Sequence, residues 1–456
     1  MNRDPREEVA LGIAALAAWA ARTRAGDIPA EVLARAVRVL ADDLSAIVGA
    51  REEPEVTAFH RNILSRRSHE EATLFRGGRP RTDRLSAAVA NAVAADWLEL
   101  DEGYRLTPCH AGLYVLPALL AEAESRNLAL GELLRALVLG YEIVTRVARS
   151  FVPRALNMQS HGRYSAVGAA AAVSLARNQD PLDAICAAVT LICPSPRNHL
   201  AAGILVRNVW PAAGAWSGMM AVEWAQCGIA GAPGAFHDVY GEVLGGRAEP
   251  SILTARLGER WAILDGYTKI YACCQHLHSA VEAAVGLRGE LRSRAALEDI
   301  SAISVETHAL ALPLVNARPH TTLAAKFSMS HAMAAALATG SGGAEAFAAA
   351  TLADPVIARL RERVSVKPWQ PELPPPNDRP ARVTVELRDG RTLQAECLSA
   401  KGGPDRPLPL QVVLEKMTAL ASPVYPNMRR VFEELLESPA SRMARGWADI
   451  VTEVCQ

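Results

Sequence analysis

The ten residues Ser165-Ala-Val-Gly-Ala-Ala-Ala-Ala-Val-Ser174 carry no charge and no side chain larger than valine. A helix of that composition has no polar stripe to turn toward water, so other helices must surround it. Its small side chains let those neighbours approach closely, and the run therefore demands a multi-helix bundle. Helical spacing recurs on either side. Residues 27–50, DIPAEVLARAVRVLADDLSAIVGA, read as a capped helix, with Asp27 ahead of Pro29 and Val32, Leu33, Ala36, Val39, Leu40 and Leu44 on one face, ending at Gly49. The same period at 86–98, 113–125, 131–150 and 165–177 predicts that the first 230 residues are almost wholly helical.

The period changes near residue 299. Asp299–His308 alternates like a strand, and Ala381–Cys397 reads as a β-hairpin whose Asp389-Gly390 favours a type I′ turn. The Pro-rich piece Pro368–Pro376 is a surface connection. After Lys401-Gly-Gly-Pro404 the helical period returns at 413–420 and 428–436. Helical, then α+β, then helical again is the order an inserted α+β unit produces in a helical domain, and the expected class is mainly α. At 456 residues the chain exceeds what one hydrophobic core of about 250–300 residues holds, which agrees with two units.

Composition excludes several functions. The 48 Lys and Arg balance 49 Asp and Glu, leaving no basic excess for a phosphate backbone, so nucleic acid is not an expected partner. Eight cysteines form no C-x-x-C pair and no Cys/His alternation, so neither a zinc site nor a disulfide framework is expected. Adjacent Cys273 and Cys274 read as reduced thiols, which suits a cytoplasmic compartment. Val9–Ala21 imitates a signal sequence, but the Arg3, Asp4, Arg6, Glu7 and Glu8 ahead of it are mixed in charge, and a first core helix is expected. The uncharged run Phe327–Ala344 contains serines, glycines and His331 and is rejected as a membrane span. No G-x-G-x-x-G or Walker loop supports a nucleotide cofactor.

Five constellations can carry chemistry. In Glu99-Leu-Asp-Glu-Gly-Tyr104 with Thr107-Pro-Cys-His110, carboxylates and a histidine crowd a helix N-terminus, either to bind an anion or simply to cap the helix. His161-Gly-Arg-Tyr-Ser165 places His161 in a loop at the start of the buried helix. Arg207 is a lone cation among apolar residues, suited to clamping a carboxylate or to a core ion pair. Lys269-Ile-Tyr-Ala-Cys-Cys-Gln-His-Leu-His278 offers a lysine for proton transfer, or one that snorkels to water. Lys326-Phe-Ser-Met-Ser-His331 puts a further histidine at a helix entry.

Taken in order along the chain, these segments resemble the MmgE/PrpD family, which includes 2-methylcitrate dehydratases, cis-aconitate decarboxylases and an iminodisuccinate epimerase. The resemblance rests on residues 27–50, Ala-Asn-Ala at 90–92, LELDEGY at 98–104 with His110, GYEIVTRVAR at 140–149 and HGRYSAVGAAAAV at 161–173. It continues through KIYACCQHLHSAVEA at 269–283, AAKFSMSHAMAAAL at 324–337, ADPVIARL at 353–360 and VTVELRDGRTL at 383–393. It implies a helical domain from residues 1–265 and 405–456, closed by an inserted α+β lid at 266–404. It also implies a homodimer and an enzyme that uses neither metal nor organic cofactor on a small di- or tricarboxylic acid.

Position by position, the resemblance makes His110, His161, Lys269 and His331 the catalytic candidates and Glu99, Asp101, Gly103, Arg207 and His278 the substrate-binding ones. Arg207 and Lys269 are the expected carboxylate clamps. Three positions depart from the family's pattern: Glu99 stands where Asp is usual, Gly103 where Thr is usual, and His331 where Tyr is usual. Gly103 is expected to remove a hydroxyl contact, and His331 to replace an acid of pKa about 10 by a group titrating near neutrality. The leading expectation is a lyase, dehydratase- or decarboxylase-like, that moves a proton next to a carboxylate. The alternatives are an epimerase of an amino-dicarboxylate and a non-catalytic descendant that binds a small acid or a partner.

Overall fold

A computed structural model describes residues 4–66, 69–291, 293–437 and 442–456. The helices that carry the fold are α1 (Pro5–Arg22), α2 (Ala30–Gly49), α3 (Arg84–Ala95), α4 (Ala111–Ser125), α5 (Leu130–Ser150), α6 (Ser160–Ala176) and α7 (Trp210–Gln226). Every residue of α6 is buried, and it packs against α4, α5 and α7. Its alanines are what make this possible. A Cβ added to Gly218 of α7 would lie 2.5 Å from the Ala166 carbonyl oxygen and 2.6 Å from the Ala169 Cβ, so the α6–α7 contact requires small residues on both helices.

Two expected boundaries are corrected. Asp27 does not cap α2: its carboxylate accepts the Arg24 N–H at 2.8 Å, and Pro29 opens the helix. α6 starts five residues before the predicted 165, at Ser160, because the Gln159 side chain accepts the His161 N–H at 2.5 Å. His161 therefore sits in the first turn of a helix and not in a loop.

Between α7 and the final helices lies a four-stranded sheet of β1 (Ile300–Thr307), β2 (Val364–Pro368), β3 (Ala381–Leu387) and β4 (Thr392–Cys397), in the order β4-β3-β1-β2. β1 and β2 are parallel, the other pairs antiparallel, and Val305 faces Val383 and Val366 across the ladder. α8 (His278–Leu287) packs on β3 and β4, and α9 (Met329–Thr339) packs on α8 and β2. The β3–β4 hairpin forms as expected with a different turn. Gly390 alone has positive φ (88°), and its N–H donates to the Leu387 carbonyl at 3.0 Å, whereas type I′ requires positive φ at Asp389 as well.

The chain then returns to the first helices. α10 (Leu410–Ala421) lies along α2, where Lys416 donates to Asp42 Oδ1 at 2.5 Å and to the Leu100 carbonyl at 2.6 Å. α11 (Trp447–Cys455) packs on α4. The architecture is mainly α with small sheets. All eight cysteines are unpaired, and among the described residues no helix is long and apolar enough to cross a membrane.

Candidate active site

Past the end of α3 the chain reverses at Glu99, whose φ of 54° is rare for a side-chain-bearing residue and costs about 1 kcal/mol or more. The reversal aims Asp96, Glu99 and Asp101 at one point, with carboxylate oxygens within 4.8 Å of one another. Two cations from distant segments meet them. Arg207 Nη1 lies 2.5 Å from Asp96 Oδ2, and its Nη2 touches Glu99 Oε1. Lys269 Nζ donates to Glu99 Oε2 and to Asp101 Oδ1, both at 3.2 Å. None of the five side chains is more than 2% exposed. The positive charge that three converging carboxylates require is supplied here by the protein itself.

The carboxylates respond differently. Burial, with Glu99 and Asp101 adding to it, pushes Asp96 up to about 8 against the pull of Arg207. Burial acts on Glu99 too, but Arg207 and Lys269 together overcome it and hold the group at about 2. Burial likewise opposes ionisation of Asp101, yet Lys269 and His110 keep it well below the carboxylate range. Burial alone would discharge Lys269, but Asp101 and Glu99 hold its ammonium charged.

His110 stands at the entry to α4, and its imidazole, like that of His276, lines the open space beside it. Its Nδ1 lies 2.6 Å from Asp101 Oδ2 and 3.0 Å from the Glu102 carbonyl, two acceptors that keep the proton on Nδ1 and leave Nε2 free. The His161 ring stands edge-on behind it, with centroids 4.9 Å apart. The Tyr114 hydroxyl donates to His161 Nδ1 at 2.9 Å, while Nε2 lies 3.2 Å from Asp96 Oδ2. Burial, then Arg207 and His110, drives His161 well below its usual range, so it stays neutral. Glu102 is a capping group: Oε1 accepts the Gly112 N–H at 2.5 Å and Oε2 the Tyr141 hydroxyl at 3.1 Å.

These groups border a cavity of about 580 Å³. Glu99, His110 and Arg207 reach its wall; His161, Asp101 and Lys269 stand behind it. Three more arginines, Arg163, Arg197 and Arg379, line the same space. Among the described residues, no ion pair joins Arg163 or Arg197 to a carboxylate. Arg163 is only 7% exposed, and its Nε is buried without a partner. Arg379 touches the Gln275 side chain, donates to the Arg105 carbonyl at 3.4 Å and stands 3.9 Å from Asp378. The charges of Arg207 and Lys269, the expected clamps, are thus already met by protein carboxylates, and the unmet positive charge belongs to arginines that the motif reading passed over.

Gly103 also differs from expectation. It pairs with Tyr267 across a two-residue ladder, and a Cβ at 103 would overlap the Tyr267 phenol oxygen and Cζ. Tyr267 lines the cavity, so the space a side chain at 103 would fill holds a hydroxyl from another segment. The remaining two candidates are not brought to this cavity. His278 donates to the Cys273 carbonyl at 3.1 Å, with burial, then Lys269, lowering it to about 3. His331 is fully buried beside the Ala346 carbonyl (3.2 Å), Thr351 and Phe347, and burial lowers it to about 4. Asp96, Tyr114 and Tyr267 carried no signal beyond their residue type. Arg163 lay inside the His161 motif, where a lone cation two residues before an all-apolar helix was such a signal.

A cavity-lining imidazole held by a carboxylate, with Arg163 and Arg197 in the same lining and no ion pair to either among the described residues, suits proton transfer on an anionic substrate. Residues 14–245 match the MmgE/PrpD N-terminal domain and residues 271–438 the MmgE/PrpD C-terminal domain. The chain belongs to the MmgE/PrpD family. It is similar to the cis-aconitate decarboxylase-like protein oryM of Aspergillus oryzae, at 26% identity over 446 residues covering 91% of this chain and 92% of the relative. It is similarly related to a cis-aconitate decarboxylase of Aspergillus terreus, at 26% identity over 445 residues, 90% of this chain and 89% of the relative.

Proposed function

We propose that the protein is a cofactor-independent lyase, decarboxylase- or dehydratase-like, acting beside a carboxylate of a small di- or tricarboxylic acid. The observation that carries this reading is His110: Asp101 fixes its Nδ1, and its ring lines a cavity whose Arg163 and Arg197 have no carboxylate partner among the described residues. The substrate's carboxylates complete those arginines, with Arg379 beside them. In decarboxylation the bond to one carboxylate breaks, its electron pair stays on carbon as an enolate-like anion, and carbon dioxide leaves. His110 then delivers the proton from Nε2, and Asp101 stabilises the imidazolium that precedes this step. In dehydration the neutral Nε2 removes the proton, the electron pair of that C–H bond forms the double bond, and the hydroxyl on the adjacent carbon leaves as water, taking up the proton from the His110 imidazolium. His161, sealed behind His110, acts as a positioning group. No metal enters the scheme, since Arg207 and Lys269 stand where one would sit. The decarboxylase names of the relatives favour the first of the two routes.

The test is incubation with cis-aconitate, 2-methylcitrate and an amino-dicarboxylate panel in D₂O, followed by mass spectrometry and carbon dioxide release. Release of carbon dioxide with one solvent deuterium in the product supports the decarboxylase route, and loss of water with no deuterium in the product supports the dehydratase route. Deuterium in recovered substrate without loss of carbon dioxide or water identifies an epimerase instead. No turnover and no exchange across the panel overturns both and leaves a binding protein.

The reading includes a homodimer and a closing role for the α+β unit at 266–404. Ile204, Val206, Val209 and Trp216 are each 42–47% exposed on the turn and helix that carry Arg207, and a second copy covering them would brace that arginine. Light scattering on the wild type and on Trp216→Glu tests this.

A further inference from the structure

The cavity is larger than a short acid requires. At about 580 Å³ it falls in the range that encloses drug-sized ligands. The groups suited to carboxylates and to proton transfer make up only some of its lining. The lining also includes the large apolar side chains of Leu156, Met158, Leu200, Leu310, Leu314 and Phe327. These side chains belong to four separate segments, so no single amphipathic element accounts for their convergence.

Charged and apolar lining meet where the Arg207 guanidinium stacks over the Phe327 ring, 5.3 Å from its centroid. The apolar region is also held in place by backbone bonds. Arg197 N–H donates to the Asn157 carbonyl at 2.9 Å and Gln159 N–H to Ser195 at 2.8 Å, which ties the 153–159 segment to the 195–202 segment. Met329 N–H donates to the Leu314 carbonyl at 2.6 Å, which ties the turn after β1 to the start of α9. A short acid seated among the arginines would leave these side chains against water, whereas an apolar substituent on the acid would cover them.

We infer that this part of the cavity is a subsite for an apolar substituent, and that the substrate is a polycarboxylic acid bearing a hydrocarbon chain or ring of several carbons. The inference rests on the acid-site reading above and names the substrate class within it.

Calorimetric titration of the full chain with succinate and with methyl-, butyl- and octylsuccinate tests the assignment. Affinity should rise roughly threefold per methylene until the subsite is full. Leu314→Asp and, separately, Leu200→Asp should each collapse the ratio of octylsuccinate to succinate affinity by at least about tenfold, as a buried charge opposes the chain. Binding of succinate with a flat series, or variants that leave the ratio unchanged, overturns the subsite alone. Failure of every member to bind overturns the acid site and the subsite together.

Discussion

The molecule holds its positive charges in two ways within one site. Arg207, which reaches the cavity wall, and Lys269 behind it are buried against Asp96, Glu99 and Asp101, and each cation contacts two carboxylates. On the wall, Arg163 and Arg197 face open space with no carboxylate beside them. The first arrangement fixes geometry: it holds the Glu99 reversal and orients the Asp101 carboxylate that positions His110. The second leaves charge unmet, which is a requirement for a ligand. Position in sequence does not separate them, since Arg197 and Arg207 are ten residues apart; what separates them is which groups the fold brings opposite each.

The largest effect follows from breaking the sealed set. Lys269→Met leaves Glu99 and Asp101 buried with one cation fewer, and unfolding in urea should show a loss of about 3–5 kcal/mol. Arg163→Gln should do the opposite. Its unfolding midpoint should stay within about 1 kcal/mol of wild type, while affinity for succinate falls roughly 10–100-fold through loss of a charge-assisted hydrogen bond. If Arg163→Gln unfolds the protein as readily as Lys269→Met, the distinction between the two sets fails.

This distinction also marks what the sequence could convey. The bundle was legible because the all-apolar run at 165–174 allows only a buried helix, and the four-stranded sheet because its period of two is local. Most of the buried network, though not Asp96, was legible as well: Glu99, Asp101, His110, His161, Arg207 and Lys269 were singled out, and the structure brings all six together. Their tasks were not, because a cation's role depends on partners more than 60 residues away in sequence, as for Lys269 and Asp101. His331 shows the converse. Its motif stands at a helix entry like the others, yet it faces the Ala346 carbonyl and Thr351, away from the cavity.

Gly103 gives a local test of how closely the wall is fitted. Gly103→Ala drives a methyl group into the Tyr267 ring, and overpacking of this kind should cost about 1–3 kcal/mol in urea unfolding. Adding Tyr267→Ala should recover most of that loss, because the obstacle is removed. Equal losses in the single and double variants would show that the strand pairing, and not the phenol, sets the requirement for glycine. Tyr267→Phe keeps the ring and removes only the hydroxyl, so a loss of acid binding without loss of stability would identify that hydroxyl as a ligand contact.

The smallest effect is a slope with pH. Asp96 moves from an ordinary 3.8 to about 8 in the folded chain. Between those values the unfolded chain has released this proton and the folded chain keeps it, so stability is fully present below pH 4 and is lost as pH rises through 8. Glu102, raised to about 7 chiefly by burial, contributes with the same sign. Glu99 contributes with the opposite sign: held at about 2 against an ordinary 4.5, it stabilises above that ordinary value and loses its contribution as pH falls through 2. Stability should therefore peak on the acid side of neutrality. Asp96→Asn carries no proton to lose, so its urea midpoint should lie nearest to wild type at pH 4 and gain on it steadily toward pH 8, with Glu102 leaving a residual slope. A midpoint difference independent of pH would mean that Asp96 is ionised in the fold throughout, and that Arg207, not burial, governs its charge.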